Sequence, residues 1–215
     1  MYRFSAWRTK RTLDSQSTEL ADPILKKLMD QMAASLDLPR IRVNIYEIDA
    51  VNGLAAPDGR NYLTRRIYPK YQAREVTAQE LASVIAHEMG HVALGHSRRR
   101  MIDFSGQNAL RTALAMVLSR FIPFVGAFVA NFLMSLLAAR LSRKDEYEAD
   151  AYASALLVKS GIGTGPQKSL FTKLEKLTGA NGAAMPVWLM SHPKTAERIA
   201  AIEANENRWL SGQDA

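Results

Sequence analysis

His87-Glu88-Met89-Gly90-His91 is the stretch of this 215-residue chain that decides its fold. On an α-helix, residues four positions apart lie one turn apart on the same face, so His87 and His91 can offer two imidazole nitrogens to one zinc ion. Glu88 sits at the edge of that face, where its carboxylate can take a proton from a zinc-bound water. The HExxH pattern therefore predicts a helix that carries the centre of a zinc metallopeptidase.

The residues around the motif indicate that it lies inside a helix. Thr77-Ala78-Gln79-Glu80 has the form of a capping box, and apolar residues continue at helical spacing up to Leu94. We expect one helix from about Thr77 to Ser97. His96 would then lie about 140° round the helix from His91. It is expected to be a polar residue near the helix end, where a cation suits the dipole, and not a metal ligand.

A second group of charges follows in Asp145-Glu146-Tyr147-Glu148-Ala149-Asp150. Glu146 and Asp150 are again four residues apart, so a second helix can present both carboxylates toward the first. One could complete the zinc shell while the other accepts the second N–H of a ligating imidazole. The alternative is an exposed helix start, where acids are favoured, and spacing alone leaves both interpretations open. Glu148 is expected on the opposite side of the helix, facing solvent.

These stretches resemble the gluzincin zinc metallopeptidases that include HtpX-like, CAAX-prenyl-protease-like, BepA-like and Oma-type proteases. The similarity rests on HEMGH and on the ExxxD pattern that follows it. It also rests on Val51–Gly59 and on Ser191-His192-Pro193 with Arg198. It extends from about Ile41 to Ile202, which is most of the chain.

The resemblance implies roles for several residues. Glu146 would be the third zinc ligand, and Asp150 would support the site. His192 would lie near the metal, where it could donate to the oxyanion of the tetrahedral intermediate. It could instead occupy the open coordination position of zinc and keep the enzyme latent. Arg198 is expected to pair with an acid that supports the site.

Composition limits the functional classes. The chain has 47% hydrophobic residues, no Cys and a net charge of +7. We therefore expect a single metallopeptidase domain over residues 1–215 whose zinc ligands are His and carboxylate. Basic runs such as Arg98–Arg100 lack interleaved aromatic residues, so they fit an anionic membrane surface or solubility better than nucleic-acid recognition. The basic segment 1–16 lacks an apolar h-region, so no signal peptide is expected and a cytoplasmic location follows by default.

The remaining patterns predict an α+β, mainly helical fold with a zincin-like core and a small β-sheet next to the HExxH helix. A helix is expected from Pro23 to about Leu36, and strands are expected near Ile41–Ile48 and Asn61–Ile67. In zincins an edge strand beside the motif binds the extended substrate backbone. We therefore expect a polypeptide substrate along an edge strand near Asn61–Thr64.

An uncharged apolar stretch, Phe121–Ala139, is long enough for a transmembrane helix. If His91 and Glu146 bind one ion, the chain between them begins and ends on the same side of any membrane, so one crossing is excluded. A Pro and a Gly near the start of the stretch favour a break. The prediction is an apolar helical hairpin over residues 107–141, inserted between the two ligand helices. It either packs over the catalytic core, which is the favoured interpretation, or makes peripheral contact with a membrane.

Two functional hypotheses follow. The first is a zinc endopeptidase that hydrolyses unfolded or membrane-associated proteins, with Glu88 as the base. The second is a latent or non-catalytic zincin-fold binding or chaperone-like protein whose zinc site is closed by His192. The presence of all the catalytic residue types favours the enzyme.

Overall fold

A computed structural model describes residues 17–46, 53–55, 60–64, 67–121, 126–179 and 195–211. These residues form a mainly helical α+β fold with one four-stranded sheet. The helices are α1 (Pro23–Ser35), α2 (Ile67–Gln72), α3 (Ala78–Ala93), α4 (His96–Phe121), α5 (Gly126–Lys159), α6 (Gly165–Gly179) and α7 (Thr195–Ser211). The strands are β1 (Ser17–Glu19), β2 (Arg42–Tyr46), β3 (Gly53–Ala55) and β4 (Arg60–Thr64).

The sheet has the strand order β1-β2-β4-β3. Strands β2 and β4 are parallel, and the outer strands pair antiparallel with them. Because β4 has a hydrogen-bonded strand on both sides, the expectation of an edge strand at Asn61–Thr64 is wrong. The edge next to β4 is β3, which pairs from Gly53 opposite Leu63 to Ala55 opposite Asn61. Strand β3 also lies beside α3, the helix of the HExxH motif.

The motif helix α3 begins as predicted and ends earlier than predicted. Its N-cap Thr77 accepts a hydrogen bond from the backbone N–H of Glu80, and the Glu80 carboxylate accepts one from the backbone N–H of Thr77. The helix stops at Ala93 because Gly95 adopts a left-handed conformation with φ of 65°, which turns the chain. His96 therefore begins a new helix instead of lying near the end of α3.

The predicted hairpin is present as α4 and α5, which pack against each other. Both arms are longer than residues 107–141, and α5 runs on without a break to carry Glu146 and Asp150. Residues 122–125 between the arms lie outside the described ranges. No helix among the described parts of the chain combines the length and apolar composition that a membrane crossing needs.

The hydrophobic core lies between α1, α3, α5, α6 and strand β2. Its most buried side chains include Met32, Leu81, Ile85 and Leu157. The described residues of α4 contribute no member to this core cluster. Ala130 and Met134 of α5 are buried, whereas Met116, Phe121 and Phe128 are 72–76% exposed. Packing of the hairpin over the catalytic core therefore stays a prediction.

Candidate metal centre

Three side chains from α3 and α5 converge at the predicted metal position. The Nε2 atoms of His87 and His91 are 3.1 Å apart. The Glu146 carboxylate lies 3.3 Å from His87 Nε2 through Oε2 and 3.6 Å from His91 Nε2 through Oε1. Ligands bound to one tetrahedral zinc ion at ordinary bond lengths are separated by about 3.3 Å. The spacing of the three residues therefore fits a zinc ion.

The hydrogen bonds of the two imidazoles also favour a cation. In the neutral ring, His87 donates from Nδ1 to Asp150 Oδ1 over 2.8 Å, and Nε2 is then left with a free lone pair. His91 Nδ1 is engaged by His96 Nδ1 over 2.7 Å, so its Nε2 is likewise directed at the centre. Two nitrogen lone pairs and a carboxylate in mutual contact repel each other unless a proton or a metal cation lies between them. Nitrogen and carboxylate oxygen are zinc ligands, and no thiolate is available in the chain.

A buried ion pair fixes the orientation of His87. Arg198, which lies on α7, donates from Nη2 and Nε to the two carboxylate oxygens of Asp150, both over 2.6 Å. The guanidinium also stacks 4.0 Å from the ring centroid of Phe171. A bidentate arginine holds the carboxylate in one plane, and the carboxylate in turn holds the imidazole. The structure thus brings Asp150 and Arg198 together behind His87.

These contacts also determine the protonation of the pair. Burial raises the pKa of Asp150, but the hydrogen bonds from Arg198 and His87 outweigh it and lower the pKa below its ordinary value. Burial lowers the pKa of His87, but the hydrogen bonds to Asp150 and Glu146 outweigh that effect and raise it to about 9. These contacts favour a protonated His87, and a metal ion at Nε2 would have to displace that proton.

Glu88 follows His87 on α3 and is partly buried. Burial is the largest influence on its carboxyl group and raises the pKa, against the opposing influence of His87 and His91. A carboxylate with a raised pKa is a better proton acceptor at neutral pH. Its environment is therefore compatible with the role of a general base.

Sequence reasoning missed a second set of contacts, behind His91. His96 is only 1% exposed, and its Nε2 lies 3.1 Å from Glu148 Oε2. Arg99 donates to Glu148 over 2.8 Å and to Asp145 over 3.3 Å. The pKa of His96 is lowered below its ordinary value, and burial is the largest cause.

Two expectations are corrected by these contacts. His96 is a buried residue at the start of α4 and not a polar residue near the C-terminal end of α3. The Glu148 carboxylate does not simply face solvent, because α4 supplies a histidine and an arginine to it. Gly95 was the signal that could have revealed this arrangement, since a glycine after an apolar run is a common helix stop.

One candidate, His192, lies outside the described residues, so its position relative to the centre stays a prediction.

The fold and the centre define a class: a helix with two candidate histidine ligands packs against a helix with a candidate glutamate ligand, as in a metallopeptidase. Residues 19–206 match Peptidase family M48, and the chain belongs to this family. The resemblance to gluzincin proteases is thereby confirmed.

Individual relatives agree with this assignment. The chain is 30% identical to "Metalloprotease LoiP" of Escherichia coli (strain K12) over 194 residues, which covers 90% of this chain and 73% of the relative. It is 27% identical to "Metalloprotease YcaL" of the same organism, over 88% of this chain and 70% of the relative. A "Protease HtpX homolog" of Salinibacter ruber is 28% identical over 96% of this chain and 83% of its own length. Family and relatives together support a metalloprotease.

Proposed function

We propose that this protein is a zinc-dependent endopeptidase that hydrolyses peptide bonds of unfolded or membrane-associated proteins. The observation that carries the proposal is the convergence of His87 Nε2, His91 Nε2 and the Glu146 carboxylate, with Glu88 adjacent on the same helix. When bound, zinc supplies Lewis acidity to the scissile carbonyl and to the attacking water. Glu88 accepts the proton of that water and then returns it to the leaving amine.

The remaining site residues position these groups. Asp150, held by Arg198, keeps His87 in the tautomer that presents Nε2. For His192 we keep both roles that the family resemblance implies, donation to the oxyanion and closure of the open ligand position. The second role would make the enzyme latent.

We place the substrate on β3 instead of on Asn61–Thr64. Strand β3 is an edge of the sheet within the described residues, and it lies beside α3. An extended peptide can add to such an edge through main-chain hydrogen bonds, which do not depend on side-chain identity. This mode of binding fits a protease that accepts unfolded chains.

We also propose that the hairpin contacts an anionic membrane surface. Large apolar side chains are exposed along both arms, among them Met116, Val117, Phe121, Phe128, Phe132 and Leu136. Apolar side chains that no part of the core covers are typical of an interaction surface. Exposed Arg111, Arg120 and Arg140 on the same two helices would meet lipid phosphates. This combination favours a lipid surface over a purely apolar protein partner.

The test of the catalytic proposal compares wild type with Glu88→Gln for zinc content and for cleavage of casein. We expect both proteins to bind zinc and the variant to lose about 10²–10⁴-fold in rate, because it lacks a proton acceptor. Glu203→Gln, the same exchange at an exposed position of α7, is the matched control and should cleave normally. Unchanged cleavage in Glu88→Gln would remove Glu88 from its role. Bound zinc without cleavage in wild type would favour the latent or binding protein.

A further inference from the structure

We infer that His96 is a positioning residue of the metal centre, which holds His91 by accepting its Nδ1–H and transmits that contact to Glu148. The inference deepens the proposed function and rests on it, because His91 must be a zinc ligand for its orientation to matter. It concerns a residue outside the HExxH and ExxxD motifs.

The hydrogen positions follow from the contacts. A zinc ligand needs the bare lone pair of His91 Nε2, so the proton of the neutral ring is on Nδ1. The nearest partner of that N–H is His96 Nδ1 at 2.7 Å, which must therefore be an acceptor. His96 then carries its own proton on Nε2 and donates it to Glu148 Oε2 over 3.1 Å. One direction of donation, from His91 through His96 to Glu148, satisfies every nitrogen in the chain of contacts.

The two histidine ligands are therefore held by two arms of the same design. In one arm His87 donates directly to Asp150, which is clamped by Arg198. In the other arm an imidazole is inserted, and the terminal carboxylate of Glu148 is clamped by Arg99. Each arm ends in a carboxylate and an arginine, so each can stabilise the partial positive charge of a metal-bound imidazole.

The inserted imidazole has a structural reason. His91 lies two residues before the end of α3, where Gly95 turns the chain and starts α4 with His96. This turn brings His96 back against His91, and the ring spans the distance to Glu148 on α5. The far end of this arm is more accessible than that of the His87 arm, since the Arg99 and Glu148 side chains are 42% and 30% exposed. The Arg198 and Asp150 side chains are each 2% exposed.

A separate metal ion at His96, Asp145 and Glu148 is the competing interpretation, because their ligand atoms lie within reach of one another. The Arg99 guanidinium already binds both carboxylates. The positively charged guanidinium of Arg99 thus takes the place that a metal ion would occupy. The cluster is therefore an ion-pair network behind the zinc ligand and not a second zinc site.

The experiment measures zinc affinity of the full chain by competition with a chromophoric chelator, and the visible spectrum of the cobalt-substituted protein. We expect His96→Leu, which removes the acceptor, to weaken zinc binding about 10–100-fold and to change the cobalt spectrum. His96→Asn places a carbonyl oxygen near the former Nδ1 and should recover part of the affinity. Affinity of His96→Leu within about twofold of wild type would overturn the inference, since supporting contacts of ligands ordinarily contribute more.

Glu80→Gln is the control for general destabilisation. Glu80 is a buried carboxylate of the same helix, bonded to Ser169 and Lys173 and not to His91. It should lower the unfolding temperature while leaving the zinc affinity of the folded protein unchanged. An equal loss of zinc affinity in Glu80→Gln and His96→Leu would overturn the positioning role.

A second variant keeps the test decisive if His96→Leu does not fold. Glu148→Ala, at a partly exposed position, removes the carboxylate at the end of the arm and should weaken zinc binding several-fold. Unchanged affinity there would contradict the inference. Failure of wild type itself to bind zinc would overturn the proposed function and this inference together. Equal zinc binding by wild type and the His96 or Glu148 variants would overturn the inference alone.

Discussion

Gly90→Ala tests whether the metal centre depends on close approach of α3 and α5. Gly90 is buried inside the HExxH motif, where the two helices cross. A Cβ atom placed there would lie 3.1 Å from both Cα and O of Ala149 and 3.2 Å from Cβ of Tyr152. Carbon atoms in ordinary contact are about 3.5–4.0 Å apart, so the helices must separate by several tenths of an ångström. Two of the opposing atoms belong to the backbone and cannot rotate away.

The expected change in the free energy of unfolding of Gly90→Ala has two opposing contributions. Alanine is favoured over glycine in a helix by about 1 kcal/mol. Overpacking costs about 1–3 kcal/mol, so Gly90→Ala should lie between neutral and destabilised by about 2 kcal/mol. Gly106→Ala is the matched control, because Gly106 is helical and exposed, and in the described part of the chain no heavy atom beyond its own stretch of helix lies within 4 Å of its added Cβ. Gly106→Ala should be stabilised by about 1 kcal/mol. The difference in unfolding free energy between the two variants therefore gives the overpacking cost at Gly90.

Thermal unfolding of the two variants measures this difference. For a chain of this size it should correspond to roughly 2–12 °C in Tm. Zinc affinity should also fall in Gly90→Ala, since the separation moves His87 and His91 away from Glu146, and it should be unchanged in Gly106→Ala. If both variants gain the same stability and keep the same zinc affinity, the close contact at Gly90 does not set the ligand geometry.

Two further predictions concern stability in acid and membrane contact. Burial raises the pKa of the Glu80 carboxyl, but its hydrogen bonds, the strongest from Lys173, lower it below its ordinary value. The ionised group therefore stabilises the fold at pH values above the ordinary carboxyl pKa. This contribution is lost as the pH falls from that value through the lowered pKa of the folded state. In urea unfolding, Glu80→Gln should be less stable than wild type at about pH 7, and its free energy of unfolding should fall less than that of wild type on acidification to about pH 4. Equal acid sensitivity of the two proteins would refute the assignment. Wild type should co-sediment with phosphatidylcholine–phosphatidylserine vesicles, and Phe121→Ser with Phe128→Ser should reduce binding. Ile24→Ser, at an exposed position of α1, should leave vesicle binding unchanged. Equal binding by the Phe121/Phe128 and Ile24 variants, or no binding by wild type, would contradict membrane contact by the hairpin.

The features that sequence predicted well depend on residues only a few positions apart. Helix α1 begins at Pro23 behind its cap Asp22, whose side chain accepts from the backbone N–H of Leu25. Helix α3 begins at the capping box of Thr77 and Glu80. In both places the side chain bonds to backbone within the first turn, so the local sequence is sufficient to start the helix.

The errors arose where a local pattern has more than one continuation. The apolar pattern of α3 extends one residue past Ala93, to Leu94, which favoured a longer helix, yet the left-handed Gly95 ends it. The ligand helix and the second arm of the hairpin are one helix, and no Gly or Pro interrupts residues 127–159. Strand β4 was predicted as a strand, but its place inside the sheet depends on its pairing with β2 and β3. Pairing partners are not encoded in the alternation of a single strand.

The sequence by itself determined the chemistry available at the centre. The i, i+4 spacing of His87 and His91, and of Glu146 and Asp150, places each pair on one helical face, and the lack of Cys leaves nitrogen and carboxylate as ligands. Only the tertiary structure decided which side chains support those ligands: Arg198 reaches Asp150 from α7, and His96 folds back on His91 from α4. The physical reason is that helical periodicity is a local property. The partners of a buried histidine are chosen by packing between elements that are far apart in the chain.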